Sequence, residues 1–155
     1  MKEIVLSQGR LSLVDDSLYD DLNQVKWSFD SGCAVRRKDK KKIYLHRVIM
    51  STPDGYVTDH INGNKLDNRK INLRICTTKQ NARNRKLNKD NTSGYKGVSI
   101  SYKCGSEHEH KWKSIIRVNY RFIYLGTFIS KIEAALAYNN AAKRFYGKFA
   151  NLNVI

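Results

Sequence analysis

No stretch of the 155 residues approaches the ~18 apolar side chains of a membrane-spanning helix, and no basic amphipathic helix dominates, so no membrane partner is expected. The opening segment, MKEIVLSQGR, lacks the apolar core of a signal peptide. Cysteine is scarce. Cys33, Cys76 and Cys104 are widely spaced and contain no CxxC pair, which argues against a zinc knuckle or disulfide framework and reads as reduced thiols in a cytoplasmic protein. No internal repeat and no low-complexity tract is present, which excludes a solenoid.

Acidic residues are the other shortage. The chain holds 29 Lys plus Arg against 14 Asp plus Glu, a formal net charge of +15. An excess this large self-repels in a compact domain and asks for a polyanionic counter-charge, nucleic acid first. It is also unevenly placed: residues 1–30 carry three bases and six acids, leaving 26 bases and 8 acids on residues 31–155 by subtraction. The length suits one ordinary domain or two small ones, neither able to hold a large core.

Loose alternation over residues 3–14 around Gly9 predicts two short strands joined by a turn, followed by a short helix over Ser17 to Val25. Further strand signals lie at Trp27 to Phe29 and Ala34 to Arg37, and the run RRKDKKK from Arg36 to Lys42 reads as a charged hairpin tip. Trp27 is expected in the core. Tyr44 to Met50 reads as helix or strand, ended by the sole proline, Pro53. Tyr56 to His60 then reads as a strand, Asn62-Gly63-Asn64 as a tight turn, and Thr77 or Thr78 as the N-cap of a helix through Arg85. Residues 86–93, KLNKDNTS, have almost no apolar side chain, which places a linker at 87–92.

Beyond the linker, Tyr95 to Tyr102, Trp112 to Val118 and Phe122 to Phe128 alternate as half-buried strands, predicting a three-stranded antiparallel sheet. Ser130 and Glu133 form a capping box. Ile132, Ala135, Tyr138, Ala142 and Phe145 recur at helical spacing up to Gly147, so this helix is expected to pack its stripe on the sheet, opposite Leu125 and Phe128. The loop CGSEHEH, Cys104 to His110, reads as solvated, since no spaced partner ligands accompany it.

One constellation carries chemistry. Hydrolysing a phosphodiester needs an activated water and a cation that stabilises the charge growing in the transition state. His60, with an unperturbed pKa of ~6.5, suits the proton transfer. Asp59 offers a hard oxygen of the kind Mg²⁺ accepts, and Asn81, 22 positions on (81 − 59), can supply a second oxygen from a returning helix, with Asn84 as a competitor one turn further. Neighbouring strand residues point to opposite faces, so Asp59 and His60 meet one phosphate only where the strand ends or bends.

The strings LHR (45–47), DHINGNKLDN (59–68), NLR (72–74) and TTKQNARN resemble the HNH nuclease family, more narrowly its phage and bacterial homing endonucleases. The resemblance implies an α+β chain with a ββα-metal core at 44–86 behind a small N-terminal β unit at 1–43. It implies Asp59 and Asn81 as ligands of one Mg²⁺ or Mn²⁺ ion, His60 as general base, and Asn72 as the residue pinning the loop. His46 is expected in a structural or phosphate-contacting role, and Arg47, Lys65 and Arg83 as DNA contacts.

Residues 93–155 hold ten bases and three acids. Their strings SGYKGVSI, KWKSIIRV, YLGTF and EAALAYNNAAKRFYG resemble the plant ethylene-response-factor (APETALA-type) DNA-binding domain. That implies a three-stranded sheet backed by one helix and laid in the major groove, which is wide enough for a β-ribbon. By position Lys96, Trp112, Arg117 and Tyr124 fall where that family touches DNA. Ser99, Ser101 and Ile115 stand where plant members carry base-reading or charged side chains, so the plant target sequence is not carried over.

The reading is therefore a monomeric homing-type endonuclease acting on double-stranded DNA in the cytoplasm of a bacterial or phage-infected host cell, with no small-molecule substrate. The alternatives are a non-catalytic DNA-binding regulator and an HNH nuclease with a restriction or packaging role.

Overall fold

The alternation at the N-terminus closes a hairpin in which β1 (Lys2–Val5) pairs antiparallel with β2 (Leu11–Val14), Lys2 opposite Val14. A short helix, α1 (Asp16–Asn23), follows, and then an antiparallel sheet of β3 (Ser28–Asp30), β4 (Cys33–Lys38) and β5 (Lys41–Tyr44) in sequential order. The run of charge at residues 36–42 is the β4–β5 hairpin, whose tip, Asp39 and Lys40, takes positive φ. The ambiguous apolar segment after it is helical, α2 (Leu45–Ile49).

A second hairpin joins β6 (Val57–His60) to β7 (Leu73–Cys76), and α3 (Thr78–Asn81) follows and packs on both strands. Strand β7 is absent from the reading of residue patterns, which ran from strand through loop to helix, although the ββα core implied by the resemblance has room for it. Its cross-strand partnership with β6 sets the register, a long-range choice that local alternation over four residues cannot signal. Thr77 is the N-cap of α3, forming a reciprocal box with Gln80, but the α-helical part ends at Asn81 instead of reaching Arg85, and a 3₁₀ turn takes over. Polar side chains all round leave such a segment no apolar stripe to extend along.

The computed structural model describes residues 1–85, 87–101 and 111–155, which fall into two compact units, Met1–Ala82 and Arg83–Ile155. In the first, Ile4, Leu6, Val14, Leu22, Trp27, Ala34 and Leu45 form one core, with Ile49 and Leu66 packed against it. The segments expected as a small β unit packed on the nuclease core (1–43) and as that core (44–86) share their hydrophobic interior, and the unit boundary precedes the expected linker. Trp27 is buried there, its indole N–H donating to the Leu22 carbonyl at 2.8 Å.

The second unit contains β8 (Val98–Ser101), β9 (Lys111–Val118) and β10 (Arg121–Phe128), antiparallel with β9 central, and α4 (Lys131–Tyr146). Ser130 and Glu133 form the N-terminal box of α4, and Gly147 ends it. The buried stripe is Ala134, Ala135, Asn139 and Ala142, which lies beside the expected one. Ile132 and Phe145 at its ends are 44% and 37% exposed, because small alanines let the helix sit close to Val98, Trp112 and Phe128 and turn the larger side chains outward. Gly97 is required by close approach: at φ +71° an added Cβ would lie 2.2 Å from the Tyr138 ring and 2.5 Å from the Ile115 carbonyl oxygen. Residues 104–110, the CGSEHEH loop, lie outside the described residues.

Candidate active site

The loop after β6 is organised by amide side chains. Strand β6 stops at His60, whose carbonyl accepts from the Gly63 N–H at 2.9 Å, and Gly63 takes φ +71° to make the turn. Asn62 and Asn64 each accept from the backbone two residues on, at 2.8 and 3.1 Å, in successive Asx turns. Buried Asn72 ties the two ends together. Its Oδ1 accepts from the Asn62 N–H at 3.0 Å while its Nδ2 donates to the Asp67 carbonyl at 2.8 Å. The Asp67 carboxylate is gripped by Arg69 through two 2.7 Å bonds and by Asn62 at 3.0 Å, and the guanidinium holds its carboxyl below the usual carboxylate range.

His60 is 6% exposed, with Nε2 3.0 Å from Asn68 Oδ1. The ring of His46, from α2, meets it edge-on with centroids 5.0 Å apart. Burial, followed by the nearby His60, Arg47 and Lys65 charges, pushes the His46 pKa down to about 4. Burial also lowers that of His60, opposed by the Asn68 bond and the Asp59 and Asp67 carboxylates. Both shifts favour the neutral, proton-accepting form of the rings.

Asp59 and His60, each 6% exposed, are the last two residues of β6, and the Asp59 carboxylate acts electrostatically on the His60 ring. Asp59 stands opposite Arg74 on β7, and Arg74 donates to its Oδ2 from Nε at 2.9 Å and from Nη2 at 2.6 Å. This buried pair was not foreseen: the two are 15 residues apart, and only the register of β7 brings them together. Asn81 closes α3, its N–H donating to the Thr77 carbonyl at 2.9 Å, and α3 lies against β6 and β7.

A carboxylate and an amide oxygen are hard donors of the type Mg²⁺ or Mn²⁺ takes, with its remaining positions left to water and phosphate oxygens. Asp59 and Asn81 would supply that donor set, with Arg74 sharing the Asp59 carboxylate. Among the described residues no group of three or more His, Cys, Asp or Glu gathers as an alternative centre.

The residues expected to touch DNA fall into two kinds. Arg47 is engaged internally, its guanidinium donating to the carbonyls of Tyr56 at 2.8 Å, Thr52 at 3.2 Å and Pro53 at 3.4 Å. Those donors staple the loop around Pro53. Lys96 is half-buried, its ammonium donating to the Arg85 carbonyl and its backbone clamped by the Asn153 side chain. Trp112 faces α4, packing with Val98, Ala134 and Ala135, because it shares the parity of Ser114 and Ile116 on the buried side of β9. Neither Lys96 nor Trp112 stands on the outer face where the resemblance put them. Arg117, Tyr124 and Lys65 are exposed, and Arg83 lies over the Tyr146 ring at 4.9 Å. Arg117 stacks on Phe122 and Tyr120, at 5.3 and 5.8 Å, so these exposed aromatics extend a cationic and aromatic outer face that the sequence reading did not single out.

Residues 44–83 match the family model described as HNH endonuclease. Over 155 residues, covering 96% of this chain and 77% of the relative, the chain is 29% identical to a protein of Acanthamoeba polyphaga mimivirus named an uncharacterized HNH endonuclease. A 49-residue segment is 51% identical to Protein 3.8 of Escherichia phage T7, covering 32% of this chain and 40% of that protein. No solved structure matches.

Proposed function

We propose that the chain is a DNA endonuclease of the HNH homing type, hydrolysing phosphodiester bonds of double-stranded DNA with His60 as general base and one divalent ion held by Asp59 and Asn81. The observation that carries this reading is a buried imidazole, kept toward its neutral form and aimed by a hydrogen bond, at the end of β6 next to a carboxylate, inside the segment that matches the HNH endonuclease model. The core is read as a ββα-metal arrangement in which β6, β7 and α3 supply the parts.

His60 takes a proton from water as the water oxygen forms its bond to phosphorus. The bond from phosphorus to the leaving sugar oxygen breaks, and that oxygen takes a proton from solvent. The divalent ion, when bound, stabilises charge on the phosphoryl and leaving oxygens. Arg74 fixes the Asp59 rotamer from across the hairpin, and Asn72, with the Asp67–Arg69 pair, keeps the loop from shifting His60. Positioning of this kind matters because a displacement of ~1 Å can cost ~10²-fold in rate.

The second unit is read as the DNA-holding module, an ethylene-response-factor-like sheet whose outer face presents Arg117, Phe122 and Tyr124. Binding through such a face is largely electrostatic and weakens steeply with salt. A plasmid-nicking assay in Mg²⁺, Mn²⁺ or EDTA, with His60→Ala as the paired variant, tests the function. Cleavage that survives either EDTA or the substitution would remove the corresponding part of the mechanism.

A further inference from the structure

The ring nitrogen of His60 that receives the proton is decided by the direction of a short hydrogen-bond chain, and that direction can be read from a group that only accepts. The Leu66 carbonyl lies 3.2 Å from Ser12 Oγ, and the geometry has the hydroxyl donate there. Having given its single proton to Leu66, Ser12 Oγ acts as acceptor toward the Asn68 amide 2.7 Å away, so the amide end facing it is Nδ2. That same Nδ2 faces a second pure acceptor, the Lys65 carbonyl, at 3.5 Å. With the amide orientation fixed at both contacts, Oδ1 is the end 3.0 Å from His60 Nε2, and Nε2 must carry a proton to satisfy it. The neutral ring then has its lone pair on Nδ1.

This chain is buried throughout: Ser12 and Asn68 are both 0% exposed and His60 6%. A reversed amide would set Oδ1 against the Lys65 carbonyl, two acceptors facing each other around a fully buried side chain. The backbone holds the chain rigid, since the Leu13 N–H donates to the Leu66 carbonyl and the Asn68 N–H to the Leu13 carbonyl, both at 2.8 Å. Residues from β2 and from the loop after β6, 56 positions apart, therefore act as one device.

We propose that Asn68, anchored by Ser12, is a positioning residue that fixes the Nε2–H tautomer of His60 and so makes Nδ1 the proton-accepting atom. This rests on the nuclease reading of His60. It also assigns the N-terminal hairpin a part in the reaction, through Ser12.

The test is long-range ¹H–¹⁵N NMR of the His60 ring in the full chain, run beside plasmid nicking and DNA binding. The wild-type ring is expected to be protonated at Nε2. Asn68→Leu, close in size but without an acceptor, is expected to lose that preference and to slow nicking by about 10- to 100-fold with DNA affinity unchanged. Asn68→Asp, which returns an acceptor to Nε2, is expected to restore the tautomer and recover rate relative to Asn68→Leu. Ser12→Ala, which leaves the amide held only by the 3.5 Å Lys65 contact, is expected to admit the second tautomer, and a ring that stays wholly Nε2-protonated there overturns the part given to Ser12; with Asn68→Asp it decides the matter if Asn68→Leu does not fold. A wild-type ring protonated at Nδ1 overturns the positioning role even where nicking depends on His60, as does a folded Asn68→Leu that keeps both tautomer and rate. Nicking that persists in His60→Ala overturns the underlying nuclease reading instead.

Discussion

In the first unit the side chains assigned to chemistry are buried and held by partners on several sides: His60 by Asn68, Asp59 by Arg74, Asn72 by the loop it ties. In the second unit Arg117, Phe122 and Tyr124 stand exposed on a sheet whose other side carries the core, and their contacts are with one another and with surface neighbours. The contrast matches the roles proposed for the two units. Bond-breaking needs a fixed geometry and a neutral base, which burial and hydrogen bonds provide. Holding a polyanion needs accessible charge, where precise wiring adds little to an electrostatic attraction.

If that division of labour is right, changes in the two units fail differently. The largest effect is expected for His60→Ala, a loss of about 10²- to 10⁴-fold in nicking rate with DNA affinity retained, read by single-turnover nicking and by gel shift. EDTA is expected to abolish the same activity.

Gly97→Ala comes next. A methyl at φ +71° collides with the Tyr138 ring and the Ile115 carbonyl, and the second unit should lose about 2–4 kcal/mol. Each unit contains a single tryptophan, Trp27 in the first and Trp112 in the second, so Trp27→Phe leaves fluorescence that follows the second unit alone. A denaturant midpoint unmoved by Gly97→Ala in that background would contradict the packing of Tyr138 over Gly97.

His46 supplies a pH test of the first unit. Its pKa falls from the ordinary 6.5 to about 4 on folding, so the folded state binds fewer protons than the unfolded one. Stability is intact above about 6.5 and falls as the pH drops from 6.5 toward 4, by on the order of 3 kcal/mol from this group. Urea unfolding at a series of pH values, with His46→Gln as control, checks the sign: the substitution should flatten the slope in that window.

The smallest effect is expected for Arg117→Ala. It should weaken DNA binding a few-fold at moderate salt and reduce the slope of log affinity against log salt by about 1, leaving the single-turnover rate at saturating protein unchanged. A larger rate effect than affinity effect would mean that the two units do not divide the work in this way.

Much of the architecture was legible because it depended on local chemistry. The N-cap at Thr77, the capping box at Ser130, the turn at Gly63 and the alternation of β9 and β10 each follow from residues within a few positions of one another. The candidate site was proposed from a string, Asp59-His60 with Asn72 and Asn81. Its wiring was not legible there, because Arg74, Asn68 and Ser12 reach their partners across 15, 8 and 56 residues respectively. Trp112 and Lys96 show the same limit from the other side: resemblance gave them positions in the chain, while strand parity and burial gave them neighbours.

The amino-acid sequence alone determined the excess of positive charge, the short strands and caps, and the residue types available for hydrolysis, since these depend on composition and on spacings of two to four residues. Tertiary structure alone decided which faces are buried, that the N-terminal hairpin shares a core with the candidate active site, and which hydrogen-bond partner each imidazole and carboxylate meets. Those depend on strand register and on contacts between distant segments, which a spacing rule cannot encode.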